Sequence, residues 1–141
     1  MANPKLLIRI AAGLILFFAF GHTMGHFTRY DVTDPKEKEV LQIMSNNRFD
    51  LFGQTTSYDK MYTGMSMNLI FTLLVFTIIL WHISNISTDN KKLATNLLLP
   101  VTFCVFGFSV TNFLFFFLVP AITCLVAGII STFALIKLNT K

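Results

Sequence analysis

Charge is scarce in this chain. Only 13% of its 141 residues are Asp, Glu, Lys or Arg, roughly half the share usual in soluble domains. No acidic residue falls in the middle of an apolar run. A proton or ion pathway built on intramembrane carboxylates therefore lacks its main ingredient. Cysteine is equally sparse. Cys104 and Cys124 both sit inside apolar segments. Their spacing suggests neither a metal nor a redox motif, and they read as small buried hydrophobes. Their redox state is left open. GxSxG, CxxC and phosphate-loop patterns are absent, so no covalent nucleophile or nucleotide site announces itself. The net charge of +4 comes from dispersed basic residues, not from the stripe that nucleic acid would require. We therefore expect no nucleic-acid partner.

What the chain has instead is apolar length. Hydrophobic residues make up 54%, and 16 residues are Phe, so the composition is that of a membrane protein. Four spans of about 20 residues fit the length. The expectation is an all-α integral membrane four-helix bundle forming a single domain. Its spans cover about 6–27, 61–83, 93–110 and 113–136, with an outer loop at 28–60. The basic start followed by Leu6 to Phe27, with Ala19-Phe20-Gly21 near its end, also describes a signal peptide. We read it as a retained first span. Residues 93–138 are too long an apolar stretch for one crossing. The polar run Ser109-Val110-Thr111-Asn112 is taken as the turn that divides it, leaving Pro100 and Pro120 inside helices, where membrane proteins tolerate them.

The loop carries its own helix signal. Asp34 can cap, Pro35 suits the first helical position, and Glu37 follows as in a capping box. Val40, Leu41 and Met44 recur at helical spacing. This predicts an amphipathic helix ending near Asn46 or Asn47. Phe49, Leu51 and Phe52 then suggest a segment lying back on the bundle or the membrane interface. Lys5, Arg9, Lys91, Lys92, Lys137 and Lys141 fall on one side, and Arg29, Lys36, Lys38, Arg48 and Lys60 on the other. By the excess of basic residues on the inner side, both termini are expected in the cytoplasm. The compartment is expected to be a bacterial inner membrane.

The chemistry-bearing residues gather at the outer ends. His22 and His26 are four apart and share a helix face, which Arg29 joins if the helix continues. Gly21 and Gly25 form a small-xxx-small pair suited to close helix approach. Asp59, Tyr62, Thr63 and Ser66 make a second polar stripe, with Gly64, Asn68 and Thr72 on a neighbouring face. Ser109, Thr111 and Asn112 are expected at the same depth. The candidate ligand site is therefore His22, His26, Arg48, Asp59, Tyr62, Ser66 and Asn68, with Gly21, Gly25 and Gly64 in helix packing. For the histidines, the plainer alternative is hydrogen bonding between helices.

No cofactor is expected. Haem would need two facing imidazoles at one depth, and His82 lies at the opposite end of its span, about 30 Å away. His22 and His26 are weak metal candidates, since a site needs a third and usually a fourth ligand. Position 23 is Thr, so HExxH is absent.

Several short motifs resemble an uncharacterised family of small bacterial membrane proteins. They are Gly21-His22-Thr23-x-Gly25 ending the first helix, Met44 with Arg48-Phe49 and Gly53 in the loop, Tyr62-Thr63-Gly64 opening the second helix, and Pro120 near the start of the last. The resemblance implies a four-helix inner-membrane protein and brings no activity with it. It draws Gly21, His22, Thr23, Arg48, Phe49, Gly53, Tyr62 and Gly64 into one expected cluster. The leading expectation is a non-catalytic membrane protein that binds a lipid-like or amphipathic ligand or serves as a small subunit of a membrane complex. Its partners would be membrane lipids, a membrane protein or a second copy. The alternative is a membrane enzyme using His22 or His26 with Asp59 as an acid–base or metal site. A third is a transport component with a polar path past Asn68 towards Thr95 and Asn96.

Overall fold

The computed structural model describes residues 3–140. The element order is α1 (Pro4–Thr28), α2 (Pro35–Asn46), β1 (Arg48–Leu51), β2 (Gln54–Ser57), α3 (Tyr58–Ile86), α4 (Lys91–Phe115) and α5 (Leu118–Asn139). Helices α1, α3, α4 and α5 are long and apolar enough to cross a membrane. At about 1.5 Å per residue, even the 22 residues of α5 span the hydrocarbon layer, which is about 30 Å thick. Only 28–44% of each apolar window is buried within the protein. The remaining surface is itself apolar, with Phe103 79% and Phe113 68% exposed. Helices hydrophobic all round belong in lipid. This is a multi-pass, all-α membrane protein.

The chain divides into two compact units. One joins α1 through Ala19 with everything from Leu73 onward, and it is a four-helix bundle. Its core repeats at helical spacing: Ile8, Ala11, Ala12, Ile15 and Phe18 from α1, Leu73, Leu80 and Ile83 from α3, Ala94, Leu98, Val101 and Val105 from α4, and Ala121, Cys124, Ala127 and Ala134 from α5. Small residues let backbones approach where no hydrophobic drive separates helix from lipid. The tightest case is Gly128, where an added Cβ would lie 2.8 Å from the Phe106 ring. Arg9 is accommodated by donating from Nε to Ser84 Oγ (3.4 Å) and from Nη2 to Asn85 Oδ1 (3.2 Å). Its guanidinium also lies 4.6 Å from the Trp81 ring centroid.

The division of the long apolar stretch lies later than its polar run suggested. α4 continues through 109–112 to Phe115, and the reversal is at Phe116 and Phe117. The polar side chains at 109–112 do not break the helix because each finds a partner. Ser109 Oγ donates to the Ala121 carbonyl (2.9 Å), Asn112 Nδ2 to the Phe108 carbonyl (2.7 Å) and Thr111 Oγ1 to the Gly107 carbonyl (3.0 Å). Pro120 falls in the first turn of α5, where its missing N–H costs nothing. Pro100 does lie inside a helix, α4.

The second unit is residues Phe20–Thr72. Asp34 caps α2 by accepting from the backbone N–H of Lys36 (2.8 Å) and Glu37 (3.2 Å), with Pro35 at the first helical position. α2 ends at Asn46 and buries no residue. After it comes a hairpin in place of a segment lying flat. Arg48 pairs with Ser57 and Leu51 with Gln54. The two turn residues, Phe52 and Gly53, both have positive φ, 49° and 80°, which is the left-handed turn that suits a twisted hairpin. The Phe52 side chain is fully exposed. Ser57 Oγ accepts from Lys60 N–H (3.3 Å) and so caps α3.

Candidate functional site

Helix α1 runs on to Thr28, so His22, His26 and the adjoining Arg29 fall on one face. α3 opens with Asp59, Tyr62, Thr63 and Ser66 at the same kind of spacing. These two stripes meet. His26 Nδ1 lies 2.8 Å from Ser66 Oγ, and His22 Nε2 lies 3.0 Å from the same oxygen. A hydroxyl has a single proton. Ser66 therefore donates to one imidazole and accepts an N–H from the other, which couples the two rings' tautomers. Ser66 is buried, so the arrangement satisfies polar groups that would otherwise be expensive at this depth.

A turn further along, Arg29 Nη2 donates to Asp59 Oδ1 (2.7 Å) and to Thr63 Oγ1 (2.8 Å). It also donates to the Tyr30 hydroxyl. That hydroxyl in turn donates to Asp59 Oδ1 at 2.7 Å. Thr63 Oγ1 donates to the Asp59 carbonyl (2.8 Å). The guanidinium carbon sits 4.6 Å from the Tyr30 ring centroid and 5.0 Å from that of Tyr62. The Arg29 and Asp59 side chains are only 11% and 16% exposed. Yet Arg29 Nε and Nη1 are buried with no hydrogen-bond partner among the described residues. Among the described residues, every hydrogen bond from this guanidinium uses Nη2, one of its three nitrogens.

Searches among family models, curated proteins and solved structures found no match. The geometry alone must therefore carry the reading.

Of the expected site residues, His22, His26, Asp59, Tyr62 and Ser66 come together. Arg48 does not join them. It is exposed on β1 and makes no hydrogen bond or ion pair with the cluster among the described residues. The hairpin, absent from the expectation, pairs its backbone with Ser57 just ahead of α3 and leaves its side chain in the open. Asn68 is also exposed. It lies two residues past Ser66, about 200° around the helix, and only its backbone carbonyl is engaged, by Thr72. In the bundle unit, Asn96 is exposed too, while Thr95 Oγ1 is buried with no hydrogen-bond partner among the described residues. Gly21, Gly25 and Gly64 face open space, with nothing within 4 Å of an added Cβ. A small-xxx-small pattern permits close approach, and among the described residues nothing comes within that distance of these three positions. Ser109, Thr111 and Asn112 are engaged by α4 and α5 carbonyls, as described above, and belong to the bundle unit.

Asp59 contacts Arg29 and Tyr30, and the imidazoles contact Ser66. The acid–base arrangement with Asp59 orienting a histidine is thus not the one formed. Among the described residues, no group of three or more His, Cys, Asp or Glu side chains could hold a metal ion. Three participants outside the expected set matter most. Arg29 was legible as sharing the histidine face, and Thr63 as part of the α3 stripe. Tyr30 lies past the end of α1, where helical periodicity gives no guide.

Proposed function

We propose that the chain is a non-catalytic membrane protein that binds the polar headgroup of a lipid-like or amphipathic ligand beside Arg29. The observation that carries this is the pair of unmatched donors on a nearly buried guanidinium. Buried donors without partners are rare and call for an unseen water, ion or ligand. An oxyanion is the group an arginine fork is shaped to bind. Asp59 and Thr63 hold the fork in place from Nη2. Tyr62, 42% exposed, covers one face of the guanidinium at 5.0 Å and helps to hold it for a ligand. His22, His26 and Ser66 fasten the neighbouring turn, so the site is built on two helices instead of a loop. The distribution of basic residues supports a reading in which both termini face the cytoplasm across a bacterial inner membrane. Kinship with the small bacterial family that its motifs resemble belongs to the same proposal.

A second reading, a subunit seated on a membrane partner or a second copy, is favoured by one feature. Phe113 to Phe117 are five consecutive bulky apolar residues, each at least 53% exposed.

The test is copurification from native membranes in mild detergent, with mass spectrometry of lipids and proteins. A retained lipid that His22→Ala and Tyr62→Ala both weaken supports the site. Retention unchanged in both variants overturns it.

A further inference from the structure

Arg29 also lines a groove against α2, together with Val32, Lys36, Glu37, Val40 and Leu41. The groove's chemistry is asymmetric. Two cationic side chains, Arg29 and Lys36, stand with one carboxylate, Glu37, above three aliphatic residues. α2 is amphipathic but buries none of its residues, and Val40 and Ile43 remain more than half exposed. An amphipathic helix with its apolar face unpacked is built to lie against acyl chains at a membrane surface. A purely anionic headgroup would be drawn to Arg29 and Lys36 but repelled by Glu37. A zwitterion carrying a phosphate and a primary ammonium suits all three.

We infer that this groove takes a phosphoethanolamine headgroup, with its phosphate on Arg29 and Lys36, its ammonium on Glu37 and its acyl portion along Val32, Val40 and Leu41. The inference rests on the proposed headgroup site and adds its chemical class. The unmatched Nε and Nη1 groups donate to the phosphate oxygens. The primary ammonium offers Glu37 three N–H donors, whereas a choline group offers none. The backbone N–H groups of Lys36 and Glu37 are already held by Asp34, so both side chains are positioned by a capped first turn. Neither forms a side-chain hydrogen bond or ion pair elsewhere among the described residues, which leaves them available to a ligand.

The experiment uses the full-length protein in detergent, titrated by native mass spectrometry with phosphatidylethanolamine, phosphatidylcholine and phosphatidylglycerol of matched chains, and with soluble O-phosphoethanolamine. Arg29 carries a structural ion pair, so the variants are the exposed Lys36→Gln and Glu37→Gln, which leave the fold intact. The expected result is preferential binding of phosphatidylethanolamine. Glu37→Gln should cut its advantage over phosphatidylglycerol by roughly threefold, and Lys36→Gln should weaken both by a similar factor, each the scale of one exposed charge contact. Competition by O-phosphoethanolamine alone would show that the headgroup suffices. Failure of the soluble compound to compete, with the lipid preference intact, would show that the aliphatic wall is needed, as the groove implies. Lipid binding with no headgroup preference, or a preference indifferent to Glu37→Gln, overturns this inference and leaves the general site standing. No lipid binding at all overturns both.

Discussion

Removing the charge on Arg29 should reveal a clamp between the end of α1 and the start of α3. Arg29→Gln loses the 2.7 Å ion pair with Asp59 and the 2.8 Å bond to Thr63. It also loses two cation–π contacts at 4.6 and 5.0 Å. Asp59 then keeps only the Tyr30 hydroxyl as a side-chain donor. Charge-assisted hydrogen bonds contribute roughly 1.5–3 kcal/mol each, and each exposed cation–π contact about 0.5–1 kcal/mol. Residual exposure of the pair and the flexibility of Gln reduce the sum, so we expect a loss of about 2–3 kcal/mol. The single variant cannot separate the pair from its surroundings, and a double-mutant cycle can. Arg29→Gln, Asp59→Asn and the double variant should be unfolded by a denaturing detergent added to mixed micelles. The coupling between the two sites should be about 1–2 kcal/mol. Additive losses, within about 0.3 kcal/mol, would refute the clamp.

Three further outcomes follow from local geometry. Phe52→Asn should stabilise the protein by about 1 kcal/mol, because Asn tolerates the left-handed turn that costs Phe roughly that much; a fall in unfolding free energy would contradict the turn. Gly128→Ala should destabilise by about 1–2 kcal/mol through collision with the Phe106 ring, whereas Gly64→Ala, facing open space, should gain about 0.5–1 kcal/mol of helix stability; equal effects in the same unfolding assay would mean that the α4–α5 contact is misplaced. Ser66→Ala should cost about 1–2 kcal/mol by leaving two imidazoles without their shared hydroxyl, while Asn68→Ala should stay within about 0.5 kcal/mol; a larger loss from Asn68→Ala would put that side chain back in the cluster.

Much of the fold was legible because a membrane simplifies the code. Apolar length alone gave the four spans, and Asp34-Pro35 marked the start of α2. The signals that misled were local ones overruled by tertiary partners. Ser109 and Asn112 look like a turn until the Ala121 and Phe108 carbonyls accept their hydrogen bonds. Pro120 was the truer marker, because proline without penalty means a first helical turn. The hairpin was hidden because Phe-Gly stands where Asn-Gly would have announced the reversal. At the site, helical spacing correctly grouped His22 with His26, and Asp59 with Tyr62 and Ser66. Spacing cannot say which stripe meets which. Arg29 as the partner of Asp59 became visible only once α1 was seen to run on to Thr28. Gly21, Gly25 and Gly64 show the converse limit, since their spacing permits a close approach while nothing among the described residues lies within 4 Å of an added Cβ.

The claim most in need of a direct test is that the unmatched guanidinium donors of Arg29 hold a headgroup. Arg29→Lys keeps a positive charge facing Asp59 but removes the planar fork that offers several donors at once. Phospholipid retained per protein after detergent purification should be counted by mass spectrometry for the native chain and this variant. The account predicts that the native chain holds lipid and that Arg29→Lys, still folded, loses most of it. Equal retention by the two proteins would contradict it.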